Sequence, residues 1–133
     1  MSSPITVFLA TSKGTSEQEA NYLAQQITES HLEDITVFQA QEEFKTHFPS
    51  CQGWDGWSDF VATSTDFVTR KARYDEIICT SSQVGRATAD IVKKSLGYGK
   101  KVRLWKMQRL HTVVGVQNDD PENWQSGWSL VTS

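Results

Sequence analysis

Long apolar runs are missing from this chain, and so are blocks of like charge, clustered cysteines and internal repeats. No stretch approaches the roughly 20 consecutive apolar residues needed to cross a bilayer, so no membrane partner is expected. Met1-Ser2-Ser3-Pro4 lacks the basic-then-apolar pattern of a secretory leader. Only two cysteines occur, Cys51 and Cys79, and the three histidines (His31, His47, His111) are scattered. No metal-ligand spacing results. Neither a metal nor a cofactor is expected, and the protein reads as reduced and cytoplasmic. Net charge is −3 and the pI is near 5.5. Without clustered cations, binding to duplex nucleic acid is not expected. Lys93, Lys94, Lys100, Lys101, Arg103 and Lys106 make the later part locally basic, as a solvated helix face with strand-end charges would be. Glycine signatures are absent as well. Thr11-Ser12-Lys13-Gly14 has neither the further glycines of a dinucleotide fingerprint nor the Gly-Lys-Ser/Thr of a P-loop.

The 133 residues fit one domain, 1–133. Ile5 to Ala10 is β-branched and apolar, and reads as a central strand ending at Thr11. Thr15 with Gln18, or Ser16 with Glu19, forms a capping box. It opens a helix to about Ser30 on the spacing of Ala20, Leu23, Ala24 and Ile27. The amino end of that helix, with Thr11, Ser12 and Gly14 ahead of it, is a candidate anion site because its first N–H groups are free. Ile35 to Phe38 reads as a second strand. Gln39 to Gly53 is irregular, with one helical turn at Gln41 to Phe44. Trp57, Phe60, Val61, Ser64, Phe67 and Val68 share helical spacing and predict an amphipathic helix whose stripe enters the core.

Asp75 to Thr80 is an apolar run ending in hydroxyls. Ser81 to Arg86 is a polar loop with one glycine. A helix from Ala87 to Tyr98 follows, with Ala87, Ile91 and Leu96 on its inner side, and Lys101 to Trp105 is the next strand. This is the length of a βαβ unit. Leu110 to Val116 and Trp124 to Val131 predict a terminal hairpin around a turn at Asn118 to Pro121. Alternating strands and helices imply an α/β fold. It is expected to be three-layer and Rossmann-like (flavodoxin-like), with a mostly parallel sheet and a C-terminal β-hairpin.

Ligands of such sheets sit beyond the carboxyl ends of the strands. Ser81, Ser82, Gly85 and Arg86 offer hydroxyls, backbone N–H groups and a guanidinium there, the mix that phosphate binding needs. Asp90 follows Arg86 by four residues on the same helical face. Two accounts of it are open. It pairs with Arg86 as a surface ion pair, or it faces the cleft as a carboxylate nucleophile. Five tryptophans are many for so short a chain, and four form two pairs, Trp54/Trp57 and Trp124/Trp128. Such rings suit base-stacking pockets and subunit interfaces. Trp54, Trp57 and Tyr98 are stacking candidates, and a homo-oligomer is expected.

Gly85-Arg86-Ala87-Thr88-Ala89-Asp90-Ile91, then Leu96-Gly97-Tyr98-Gly99-Lys100-Lys101-Val102, resembles the late segment of the nucleoside 2-deoxyribosyltransferase superfamily. Val7 to Ala10 and Tyr74 to Cys79 are similar to its first and middle strands, and TIR domains share the layout. The resemblance implies a small-molecule partner, a nucleoside or nucleoside 5′-monophosphate, whose N-glycosidic bond is cleaved or transferred. By it, Asp90 matches the nucleophile that captures the sugar, and Ser81, Ser82 and Gly85 match the phosphate loop. The acid here is Asp where that family has Glu. The alternative is a non-catalytic module that holds or sequesters a nucleotide-derived ligand in the same pocket, or a TIR-like domain.

Overall fold

The computed structural model describes residues 4–11, 15–80, 86–109, 111–113, 116–117 and 124–129. The chain begins with strand β1 (Ile5–Ala10), helix α1 (Glu17–Ser30), strand β2 (Ile35–Gln39), helix α2 (Ala40–His47) and helix α3 (Gly53–Thr63). Strand β3 (Glu76–Cys79), helix α4 (Arg86–Gly97) and strand β4 (Lys101–Arg109) follow. Short strands β5 (His111–Val113) and β6 (Val116–Gln117) precede β7 (Trp124–Ser129). The main sheet has the order β2-β1-β3-β4-β7. Its first four strands are parallel, and β7 joins antiparallel beside β4. The expected mixed α/β architecture with a mostly parallel sheet is therefore present. β5 and β6 pair with each other in a separate two-stranded sheet.

Alternation along β1 divides the core in two, as the period of a strand requires. Phe8 and Ala10 pack with Trp57, Val61, Tyr74, Ile77 and Ile91. Val7 and Leu9 pack with Leu23, Ile27, Ile78 and Trp105. The first cluster is aromatic: Phe8 meets Tyr74 at 5.0 Å and Trp57 at 6.2 Å, both edge to face, the arrangement ring quadrupoles favour. The second is mostly aliphatic and is covered by α1. All four residues of β3 are buried, as a central parallel strand demands.

Local signals explain the element ends. Ser16 caps α1 by accepting the Glu19 N–H at 3.2 Å, which selects one of the two capping pairs. Gly99 follows α4 with φ of 78°, a conformation that favours glycine. The stretch after β2, expected to be irregular with one helical turn, is the two-turn helix α2 followed by a 3-10 turn at Phe48–Ser50. α3 stops at Thr63, so Phe67 and Val68 leave the expected stripe and stand 79% and 85% exposed. The cause is Asp66, whose carboxylate accepts the Val68 and Thr69 N–H groups at 2.9 and 2.8 Å. That local bonding competes with a helix. On α4 the inward residues are Ile91 and Ser95, while Leu96 is exposed.

Candidate functional site

Helix α3 leads into β3 and α4 leads out of it, so both run against the strand direction and parallel to each other. Their amino-terminal turns lie at the carboxyl edge of the sheet. Lysine side chains from α4 and from the turn after it bind the two layers of chain together. The Lys94 ammonium meets the Asp55 carbonyl at 3.3 Å, the Asp59 carboxylate at 3.2 Å and the Asp90 carboxylate at 3.4 Å. Further along, the Lys100 ammonium donates to the Val61 carbonyl near the end of α3 at 3.2 Å.

Above this network a cleft of about 540 Å³ opens between the helices. Among the described residues, Trp54, Asp55 and Ser58 line one wall, and Arg86, Ala87, Ala89, Asp90 and Lys93 the other. The small Ala87 and Ala89 keep the α4 wall low. Trp54 is 56% exposed, yet its ring is held: it stacks on Phe44 at 5.4 Å and lies near Phe48 at 5.3 Å. Phe44 and Phe48 stack on each other at 4.2 Å. An exposed indole fixed from behind by two rings is a platform for a planar ligand. Arg86 and Lys93 supply cations, and Arg86 stands at the first turn of α4, where the helix dipole also favours an anion.

Asp90 sits on the cleft wall, and its carboxyl is held below the usual carboxylate range. The largest contribution is the neighbouring Ser58 hydroxyl, although that buried oxygen makes no hydrogen bond within standard limits of distance and angle. Desolvation is the next largest effect and opposes it, while Lys94 and then Lys93 lower the carboxyl further. Desolvation pulls the Lys94 ammonium down, but Asp59 and Asp90 outweigh it, and its pKa ends above the ordinary value. Asp90 is thus an ionised acceptor, not a proton donor, at neutral pH. Among the described residues its ion-pair partner is Lys94 at i+4, not Arg86.

The structure brings Trp54, Arg86 and Asp90 to one cleft. Trp57 is buried beneath it in the aromatic core. Thr11 is buried at the end of β1 with an unpartnered hydroxyl, and it does not line the cleft. Tyr98 is exposed just past the far end of α4, about 18 Å from Arg86 at 1.5 Å per residue. The structure does not bring it to the site. Ser12, Gly14, Ser81, Ser82 and Gly85 lie outside the described residues. Sequence reasoning missed Asp55, Ser58 and Lys93 as lining of the cleft and Lys94 as the cation beneath it. The i, i+4 relation of Asp90 to Lys94 was a readable signal; the approach of α3 was not. No group of three or more His, Cys, Asp or Glu side chains placed to hold a metal occurs among the described residues.

The fold and the cleft define a mixed α/β protein with an aromatic, charge-lined cleft between two helix amino termini. Comparisons with protein-family models, with curated proteins and with solved structures find no match to this chain. Among the described residues, no helix is long and apolar enough to cross a membrane.

Proposed function

We propose that the cleft between α3 and α4 binds a nucleoside 5′-monophosphate or a close relative. The observation that carries this is the exposed Trp54 indole, backed by Phe44 and Phe48, across from Arg86 and Lys93. The base stacks on Trp54. The phosphate takes Arg86 at the start of α4, where guanidinium and helix dipole act together. The Asp55 and Asp90 carboxylates stand as acceptors for sugar hydroxyls or base N–H groups. The strand order β2-β1-β3-β4 and the two core clusters support a three-layer, flavodoxin-like reading of the fold. The cytoplasm is the proposed location, and the primary reading is a binding module.

Cleavage or transfer at the N-glycosidic bond through Asp90 is the second reading. What favours it is that Asp90 is kept ionised on the cleft wall, as a carboxylate nucleophile must be. What weighs against it is the Lys94 ammonium at 3.4 Å, which occupies one carboxylate oxygen.

A thermal-shift panel of nucleosides, their 5′-monophosphates and cyclic nucleotides tests the proposal. Monophosphates are expected to raise the melting temperature, and Arg86→Ala is expected to remove their advantage over nucleosides. Equal losses for both ligand types would take Arg86 out of the phosphate role. Chromatography of the same mixtures separates the two readings: free base that disappears in Asp90→Ala makes the protein an enzyme, and binding without base release makes it a module.

A further inference from the structure

Among the described residues, the amino edge of the sheet, opposite the cleft, carries five of the seven large exposed apolar side chains. Because β1 to β4 are parallel, the turns entering β2, β3 and β4 all lie there. Leu32 is in the first turn, Phe67 and Val68 in the second, and Leu96 and Tyr98 at or near the third; all five are exposed, and Leu32 fully so. Apolar groups gathered on one edge mark a contact surface more often than the same groups scattered singly.

Two of these turns are built to hold their tips out. Leu32 lies between His31, whose N–H bonds the Ile27 carbonyl at 3.0 Å, and Glu33, whose N–H bonds His31 Nδ1 at 3.2 Å. The Asp34 carbonyl accepts the Ile5 N–H at 3.0 Å. In the second turn, Thr65 and Ala72 form an antiparallel bridge, and Arg70 takes φ of 61° to close it. Asp66 caps the tip, and its N–H donates to the Lys71 carbonyl at 2.8 Å.

Their charges are opposite. Leu32 is followed by Glu33 and Asp34, both exposed, whereas Phe67 and Val68 are followed by Arg70 and Lys71, both exposed. None of these four forms a salt bridge among the described residues. The turns enter β2 and β3, which flank β1, so their bases are about 10 Å apart at two strand spacings.

We propose that this edge is the interface of a two-fold homodimer, in which the acidic Leu32 turn of each protomer meets the basic Phe67–Val68 turn of the other. A two-fold axis makes residue i contact j and j contact i, so one acidic and one basic turn on the same edge are self-complementary. An anionic membrane matches less of the edge, since Glu33 and Asp34 beside the fully exposed Leu32 would be repelled by it.

Sedimentation across a hundredfold range of concentration is the test, with circular dichroism to confirm that each variant folds. The wild type is expected to pass from monomer to dimer. Leu32→Ser, or Phe67→Ser with Val68→Ser, is expected to weaken dimerisation at least tenfold. One variant with Arg70→Glu and Lys71→Glu has two acidic turns; another with Glu33→Lys and Asp34→Lys has two basic turns. Each alone is expected to stay monomeric, and an equimolar mixture is expected to form the heterodimer, because complementarity is restored at both contacts. A wild type that stays monomeric, a dimer indifferent to these changes, or a mixture that stays monomeric overturns the proposal. Monomeric wild type that floats with phosphatidylserine vesicles overturns it too and makes a membrane the occupant.

Discussion

Two carboxylates, Glu76 and Asp90, show what burial does to a charge in this molecule. Glu76 opens β3 and is 2% exposed. One oxygen meets His31 Nε2 at 3.1 Å and the other meets the Arg103 Nε. Because His31 Nδ1 accepts the Glu33 N–H, Nε2 is free to donate to Glu76. The Trp128 ring closes the cluster: the Arg103 guanidinium lies 3.8 Å from its centroid, and the indole meets Trp105 edge to face at 4.7 Å. β7 is thereby fastened to the sheet through a charge that water scarcely reaches. Asp90 has the same kind of partner, a single cation, but stands on an open wall. Its pairing with Lys94 leaves it reachable by a ligand. The enclosed carboxylate is architecture, and the open one is available for recognition.

The largest expected effect comes from breaking the enclosed cluster. Glu76→Ala strands Arg103 and removes the His31 acceptor, and urea unfolding is expected to show a loss of about 3 kcal/mol, as for other buried pairs cut on one side. Trp128→Ala should cost less, about 1–2 kcal/mol, because the ring contributes cation–π and edge contacts but leaves Glu76 paired. Asp90→Asn should leave the urea midpoint nearly unchanged while altering ligand affinity; a large loss of stability would erase the contrast.

Acid titration sharpens the same contrast at smaller amplitude. Asp66 is held below its ordinary value of 3.8 first by the Thr69 N–H, and Asp90 first by Ser58. A depressed folded-state pKa means that the stabilisation is present above 3.8 and is lost as pH falls through the lowered values. Melting temperature followed from pH 5 to pH 2 is expected to fall for the wild type, and to fall less steeply in Asp66→Asn.

The element order was legible because period and caps agreed. Ser16 capped α1, the apolar runs at Ile5 and Ile77 became central strands, and Cys79 was buried as a small hydrophobe. What the period misled on was α3. Trp57, Phe60 and Val61 continue in phase to Phe67 and Val68, and only the Asp66 side chain, bonding its own turn, cancels the helix. Two of the three cleft contributors named from sequence stacking or spacing, Arg86 and Asp90, lie on one helix, where i, i+4 geometry is reliable. Trp54 joins them through a tertiary approach of α3 to α4 that no local signal announces. The Glu76 cluster was invisible for the same reason: its three members lie 27 to 45 residues from one another along the pairs that join them.

The proposed function requires Trp54 to serve as a ligand platform and not merely as a packing residue. Base stacking on an aromatic side chain is worth about 1–3 kcal/mol, or roughly a fivefold to 150-fold change in affinity. Calorimetric titration of a nucleoside 5′-monophosphate into wild type and Trp54→Ala measures it directly. Saturable binding at one site per chain is expected in the wild type, weakened at least about fivefold in the variant, with both proteins melting within a few degrees of each other. Absence of saturable binding across the monophosphates, or equal affinity in the two proteins, would contradict it.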